Sequence, residues 1–108
     1  MRATEFAATA RQEGDVTVLV LSGEISSAAE TGLHAAYEEV REAPVVLLDF
    51  AGVDYINSTG IALIVGILAE ARRSHQEVRA RGLAEHYREI FRITRLSDFM
   101  TILDDQGE

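Results

Sequence analysis

One stretch limits the possible folds of this chain more than any other: Val45–Leu68, which reads VVLLDFAGVDYINSTGIALIVGIL. It begins with an apolar run typical of a buried strand and ends with an apolar run of helical length. The two runs meet at Asn57-Ser58-Thr59-Gly60, which has the composition of a helix start. A buried strand followed at once by a buried helix predicts an α/β fold. Because the apolar core meets solvent at this joint, we expect function to lie there, above all on the hydroxyl of Ser58.

The remaining segments complete the pattern of a small α/β domain. The β-branched run Val16–Leu21 predicts a strand that is buried on both faces, and Pro44 ends a helix and opens the next strand. The predicted order is β-β-α-β-α-β-α, a small mixed β-sheet with helices packed against it. The predicted elements are strands at 3–11, 16–21, 45–50 and 77–83, a hairpin turn at 12–15, helices at about 27–41, 58–73 and 85–92, a short strand or turn at 98–103 and a frayed tail at 103–108.

Several side chains have an expected role within these elements. Ser26 and Ser27 are candidate N-caps of the first helix, because Glu30 follows at the spacing of a capping box. The second helix carries almost no polar residue in its first three turns, so we expect it to be largely buried. Gly66 within it costs about 1 kcal/mol relative to Ala, and close approach of the helix to the sheet is the expected reason.

Composition and charge exclude several classes of function. The 108 residues suffice for one domain, expected to span 1–108, and without cysteine the chain has neither a disulfide framework nor a thiolate metal site. A formal net charge of −8 argues against direct contact with nucleic acid and favours a partner with a basic patch. No apolar run approaches the ~20 residues of a membrane span and no secretory signal is recognisable, so we expect a cytoplasmic protein without a membrane partner. The sequence leaves the oligomeric state open.

The central motif, in its context, resembles that of a known family. Gly23-Glu24-Ile25 follows a hydrophobic strand, and Asp49, Tyr55-Ile56 and Asn57–Gly60 then precede the apolar helix. This arrangement resembles the STAS domain of bacterial anti-sigma factor antagonists, in which an apolar strand, a loop and Asp-Ser-Ser/Thr-Gly precede an apolar helix. The order of elements agrees from about residue 3 to 103. The resemblance implies a non-enzymatic regulatory domain of the STAS fold that needs no cofactor.

The resemblance also implies a switch and a partner. In this family an anti-sigma factor with serine kinase activity phosphorylates the first hydroxyl residue of the motif, which corresponds to Ser58, with Thr59 as the second choice. The unphosphorylated form binds the anti-sigma factor and frees a sigma factor, and phosphorylation ends that binding. The implied partner surface comprises Glu24, Ser26, Ser27, Asn57, Ser58, Thr59 and Gly60.

Two positions depart from the family pattern. The family usually has Asp directly before the phosphoserine and often a further Asp after the Gly-Glu-Ile segment, where this chain has Asn57 and Ser26. Both differences remove negative charge near the acceptor hydroxyl. The alternative function is that of a STAS scaffold without phosphorylation, within a multi-protein signalling or transport assembly.

The residues of the joint also have a physical rationale of their own. Either Asn57 or Ser58 itself is expected to be the N-cap of the second helix. A side-chain oxygen of Asn57 can accept an amide of the first helical turn, which is worth about 1 kcal/mol relative to Ala. Free amides and the positive end of the helix dipole tolerate an anion there, so a phosphate on Ser58 need not unfold the domain. We expect Gly60 to be required because a side chain would obstruct a kinase cleft or a close partner backbone. Ordinary helix capping is the alternative explanation of the same motif.

Enzymatic and metal-binding interpretations have less support. A serine hydrolase also places its nucleophile on a strand-to-helix turn, but the G-x-S-x-G elbow is missing here and no oxyanion hole is evident. His34, His75 and His86 lack the spacing of metal ligands, so no metal site is expected. Four acidic residues either line a contact face for a basic partner or form a solvated face: Glu24, Glu30, Glu38 and Glu39.

Overall fold

The computed structural model describes residues 5–103 and confirms the predicted α/β class. Strands and helices follow one another in the predicted order, with one short strand added at the C-terminal end of this part of the chain. The strands are β1 (Ala7–Glu13), β2 (Val16–Ile25), β3 (Val45–Ile56), β4 (Glu77–Arg81) and β5 (Thr101–Ile102), and the helices are α1 (Glu30–Val40), α2 (Ser58–Arg73) and α3 (Glu85–Ile93).

The strands form one mixed sheet in the order β1-β2-β3-β4-β5. β1 pairs with β2 antiparallel through a turn in which Gly14 has a φ of 62°, whereas the later neighbours are parallel and are joined by helical crossovers. β5 confirms the expected short strand or turn. The amide of Leu103 donates to the carbonyl of Ala80 at 2.7 Å, so Leu103 is held to the sheet rather than frayed. The rest of the predicted tail, residues 104–108, lies outside the described residues.

The helices pack on one face of the sheet and enclose the hydrophobic core. Alternate residues of the central strands point into this core, among them Leu19, Leu48 and Phe50. The ring of Phe91 on α3 meets Phe50 edge-on, with 6.2 Å between the ring centres. Within residues 5–103 no helix has the length and apolar character to cross a membrane. The buried side of α1 comprises Leu33, Ala36, Tyr37 and Val40.

The opposite face of the sheet carries charged side chains that bridge the strands. The guanidinium of Arg81 on β4 donates to the carboxylates of Asp49 on β3 and of Glu13 on β1, each at 3.0 Å. Because β2 and β3 lie between β1 and β4, the Arg81–Glu13 pair spans both central strands. Val18 of β2, which points to this face, is completely buried. The predicted two-sided burial of β2 is therefore confirmed at Val18, although ion pairs rather than helices cross this face of the sheet.

β2 and β3 are longer than the sequence predicts. We expected them to end at Leu21 and Phe50, but they continue side by side to Ile25 and Ile56. Beyond Leu21 half-buried residues alternate with buried ones in β2, whereas none of residues 51–55 of β3 is buried. Irregular register along the extension lets both strands continue. This extension carries the chain to the start of α2.

The connection from β2 to α1 corrects the predicted N-caps. A 3-10 turn at Ser27–Ala29 precedes α1, and the amide of Ala29 donates to the carbonyl of Ser26 at 2.9 Å. Ser26 takes the N-cap position of this turn but makes no side-chain capping hydrogen bond, and the buried Ala29 takes the N-cap position of α1. Because the core holds Ala29 inside this tight turn, the expected capping box does not form.

α2 is less buried than the sequence predicts. Val65 is 42% exposed, and Ala62 and Ala69 are exposed with it. Gly66 also lies on the exposed side, and a Cβ there would meet no atom within 4 Å. Close approach to the sheet is therefore the wrong explanation for Gly66. The buried side of α2 comprises Gly60, Ile64, Ile67, Leu68 and Ala71.

Candidate partner-binding site

The predicted joint lies where two parallel strand ends meet the first turn of α2. Ile25 and Ile56, the last residues of β2 and β3, are paired neighbours, and both are buried. The amide of Asn57 donates to the carbonyl of Ile25 at 3.2 Å. The residue that precedes α2 is thereby tied to the carboxyl end of β2, and ligands of open α/β sheets bind at this end of the strands.

Of the two predicted N-cap candidates, Asn57 rather than Ser58 caps α2. Its Oδ1 accepts the amide of Gly60 at 2.8 Å, and its carbonyl accepts the amide of Ile61 at 2.9 Å. An aspartate has the same acceptor oxygen. Asn57 therefore keeps the cap that an Asp would form at this position and removes only the negative charge.

Packing within the fold explains why residue 60 is a glycine, and this explanation replaces the predicted one. A Cβ on Gly60 would lie 2.0 Å from the carbonyl oxygen of Ile25 and 3.0 Å from the side chain of Ile56. Any larger residue would have to displace the backbone of β2 in a close-packed interior. The first turn of α2 thus rests directly on the end of β2, and obstruction of a kinase cleft is not needed to explain the glycine.

The hydroxyls of Ser58 and Thr59 are presented to solvent on this fixed turn. Both residues are exposed, and within residues 5–103 neither hydroxyl forms a hydrogen bond. As the first two residues of α2, they also carry backbone amides that have no acceptor within the helix. These amides and the helix dipole favour an anion at this position, by about 0.3–1 kcal/mol for an exposed group.

Glu24, Ser26 and Ser27 border this turn because β2 ends beside it. Ser26 directly follows Ile25, whose carbonyl contacts the start of α2. Glu24 and Ser26 are half-buried and Ser27 is exposed. The predicted residues therefore come together at one end of the sheet, with Gly60 buried beneath the others.

A residue on α3 supports the site without a signal in the sequence. The hydroxyl oxygen of Tyr87 accepts the amide of Ile56 at 2.9 Å. The sequence predicts only that Tyr87 packs in the core. Because the two residues are 31 positions apart, no local pattern distinguishes this tyrosine from one that merely fills space.

Within residues 5–103 the site lacks the groups for hydrolysis or metal binding. No histidine or carboxylate is hydrogen-bonded to the Ser58 hydroxyl, and His34, His75 and His86 are all exposed. His75 follows the far end of α2, about 25 Å from Ser58 along the helix axis. No group of three or more His, Asp or Glu side chains in these residues is arranged to hold a metal ion. The arrangement suits a contact surface that carries a modifiable hydroxyl.

Comparison with known proteins assigns this arrangement to a family. A family model described as "Mlab, STAS domain" matches residues 8–104. The anti-sigma-B factor antagonist of Listeria monocytogenes is 32% identical over 92 residues, which cover 83% of this chain and 81% of the relative. The chain belongs to the STAS domain family.

Solved structures of anti-sigma factor antagonists share the fold. An anti-sigma factor antagonist from Mycobacterium paratuberculosis superposes with a TM-score of 0.72 at 22% identity, over 91% of this chain and 85% of that chain. The Bacillus protein SpoIIAA in its phosphorylated form gives a TM-score of 0.68 at 17% identity, over 89% and 90% of the two chains. At these identities the structures support the fold alone. The family match and the Listeria relative confirm the resemblance drawn from the central motif.

Proposed function

We propose that this STAS domain is an anti-sigma factor antagonist that is switched at Ser58. Unphosphorylated, it binds an anti-sigma factor with serine kinase activity, and a phosphate on Ser58 releases it. The observation that carries the proposal is the exposed hydroxyl of Ser58 on a turn fixed by Asn57 and Gly60. The Listeria relative, named as an anti-sigma-B factor antagonist, supports the class of partner. SpoIIAA, which has this fold, occurs in a phosphorylated form.

The switch acts on the surface and leaves the fold in place. A phosphate on Ser58 brings about −1.5 to −2 charges and three acceptor oxygens. In the free domain it faces the amides and the positive dipole end of α2, where an anion is tolerated. Against a partner surface fitted to a neutral hydroxyl, the same dianion is desolvated without a counter-charge and opposes binding. Asn57 places a neutral amide beside the phosphate, so the phosphoserine faces one carboxylate fewer than in the usual family pattern.

A phosphorylation assay identifies the residue that accepts the phosphate. The purified chain is incubated with ATP, Mg²⁺ and the serine-kinase anti-sigma factor of the same organism, and its intact mass is measured. We expect one phosphate on wild type and on the matched control Thr59→Ala, and none on Ser58→Ala. Equal phosphorylation of wild type and Ser58→Ala would place the acceptor elsewhere.

A binding assay with the anti-sigma factor tests whether charge at Ser58 weakens the contact. Calorimetry compares Ser58→Ala and Ser58→Asp against the same anti-sigma factor, and we expect Ser58→Asp to bind at least about ten-fold more weakly because of its charge. Both variants should unfold at the wild-type urea midpoint, since the residue is exposed. Equal affinities would contradict the electrostatic switch. Stable stoichiometric assembly with other proteins, and no phosphate on Ser58 in cells, would point to the scaffold role instead.

A further inference from the structure

α2 differs from the other helices in the residues on its exposed face. The exposed faces of α1 and α3 carry charged residues such as Glu38 and Glu89, whereas α2 has no charged residue before Glu70. Residues spaced by four, three, four and three positions share one side of a helix. On α2 this exposed side, the outer face, consists of Ser58, Ala62, Val65, Ala69 and Arg72.

An apolar groove opens beside the C-terminal half of the outer face. It has a volume of about 490 Å³. Phe99 is 45% exposed at its edge and, with the exposed Val65, continues the apolar surface of the groove. The groove is lined by Val65, Leu68, Ala69, Arg72, Leu96 and Phe99.

The cation at the edge of the groove, Arg72, has no carboxylate within 4.0 Å among residues 5–103. Within residues 5–103, every arginine except Arg72 and Arg88 has a carboxylate within 4.0 Å. The guanidinium of Arg72 instead lies 5.0 Å from the centre of the Phe99 ring. A partner that fills the groove therefore meets a positive charge held at its edge, and an acidic side chain complements it.

We infer that the anti-sigma factor binds along the whole outer face of α2, from Ser58 to the groove. It inserts an apolar side chain, followed within one helical turn by a carboxylate, between Val65 and Phe99 and against Arg72. This inference rests on the proposed function, because Ser58 opens the same face about 20 Å from Arg72. The contact keeps the two proteins together by burial of apolar area at one end, while the phosphate acts at the other.

Two other occupants fit the groove less well. A symmetric dimer centred on the groove would place the groove against itself and bring two Arg72 side chains close together, with no carboxylate among the lining residues to separate them. Residues 104–108, Asp-Asp-Gln-Gly-Glu, supply carboxylates but no apolar side chain. A separate partner that combines an apolar anchor with an acid meets both requirements.

The test uses two exposed substitutions, each with a matched control on the full chain. Val65→Gln removes the apolar wall, and its control is Ile93→Gln, an exposed isoleucine outside the groove lining. Arg72→Gln removes the cation, and its control is Arg88→Gln. Calorimetry against the purified serine-kinase anti-sigma factor should show about a ten-fold loss for Val65→Gln and a loss of several-fold for Arg72→Gln. The controls should bind within about two-fold of wild type.

The outcomes separate this inference from the proposed function. Wild-type affinity of Val65→Gln and Arg72→Gln, together with weak binding of Ser58→Asp, overturns the groove contact and leaves the switch intact. Loss of binding in the groove variants with wild-type affinity of Ser58→Asp supports the groove and refutes the switch. Sedimentation that reveals a dimer dissolved by Val65→Gln assigns the groove to a second copy, which overturns the inference. Failure of wild type to bind the anti-sigma factor overturns both the groove contact and the proposed function.

Discussion

Two glycines on the same helix meet opposite environments. Gly60 lies against the backbone of β2, with no room for a methyl group, whereas Gly66 faces solvent with nothing near it. The sequence distinguishes them poorly, because both sit within an apolar helical run. Only the neighbouring strand, which is remote in sequence, tells them apart.

Alanine at each position provides a matched pair. Gly60→Ala should lower the free energy of unfolding by about 3 kcal/mol or more, because the carbonyl of Ile25 must move to admit the Cβ. Gly66→Ala should raise it by about 0.5–1 kcal/mol, because alanine is the better helix former and meets no obstacle. Urea denaturation measures both. A similar change in the two variants would mean that α2 does not rest on β2.

The residue-scale predictions succeeded where the signal was local. The motif limits the N-cap to Asn57 or Ser58, and the structure confirms Asn57, because capping involves only the three residues that follow. Neither Ser26 nor Ser27 caps α1 itself, because the buried Ala29 draws the chain into a 3-10 turn, of which Ser26 is the N-cap without a side-chain hydrogen bond. The contact between Tyr87 and Ile56 depends on distant elements and leaves no trace in sequence spacing.

At the scale of elements, the sheet is asymmetric in how its two faces are covered. Helices cover one face, and ion pairs among β1, β3 and β4 cross the other. The hydrogen bond from Arg81, with a smaller contribution from Arg11, lowers the pKa of Glu13 from 4.5 to about 2. The carboxylate thus gains its stabilising interactions only in the folded state.

This shift predicts the direction of a pH effect. A carboxylate whose pKa is lower in the folded state stabilises the fold above its ordinary pKa of 4.5, and it loses this contribution as the pH falls towards 2. Glu13→Gln should therefore be less stable than wild type at pH 7, with a smaller difference at pH 2.5. Urea midpoints across this range measure the effect. Glu39→Gln, at an exposed carboxylate outside any ion pair of residues 5–103, should show no such convergence, and parallel curves for Glu13→Gln and wild type would contradict the prediction.

Element order was predictable, but element length was not. Apolar runs, the single proline and the helix-start motif place β2, α1, β3 and α2 in sequence. The extensions of β2 and β3 are half polar, and their pairing depends on each other rather than on either run. The ion pairs across the sheet join Glu13 to Arg81, 68 positions apart, so no local window contains both partners.

At the scale of the whole molecule, negative charge dominates the surface. The net charge is −8, and most arginines of residues 5–103 are already paired with carboxylates. The electrostatic potential that an approaching protein meets is therefore negative. Such a field accelerates encounter with a basic partner and is screened by salt.

Under the proposed function, the association rate with the anti-sigma factor should therefore depend on ionic strength. Between about 20 mM and about 500 mM salt, the Debye length falls several-fold and the association rate constant should drop by about ten-fold or more. The dissociation rate should change less, because the contact proposed at the groove is mainly apolar. Stopped-flow or surface-based kinetics measure both constants. An association rate that does not respond to salt would show that the net charge does not guide binding.

The overall topology followed from the sequence, whereas the outer face of α2 did not. An uninterrupted apolar helix predicts burial, and periodicity cannot reveal that Val65 and Ala69 lack a covering element. The proposed groove contact lies on this exposed side of α2.

The contact between Gly60 and the carbonyl of Ile25 has a consequence for how long a signal lasts. A helix seated on the sheet with no gap has no second position to which it can shift. Under the proposed function, a phosphate on Ser58 would be a covalent label on a fixed support. Its lifetime would be set by the enzyme that removes it, because no conformational relaxation of the domain could erase it.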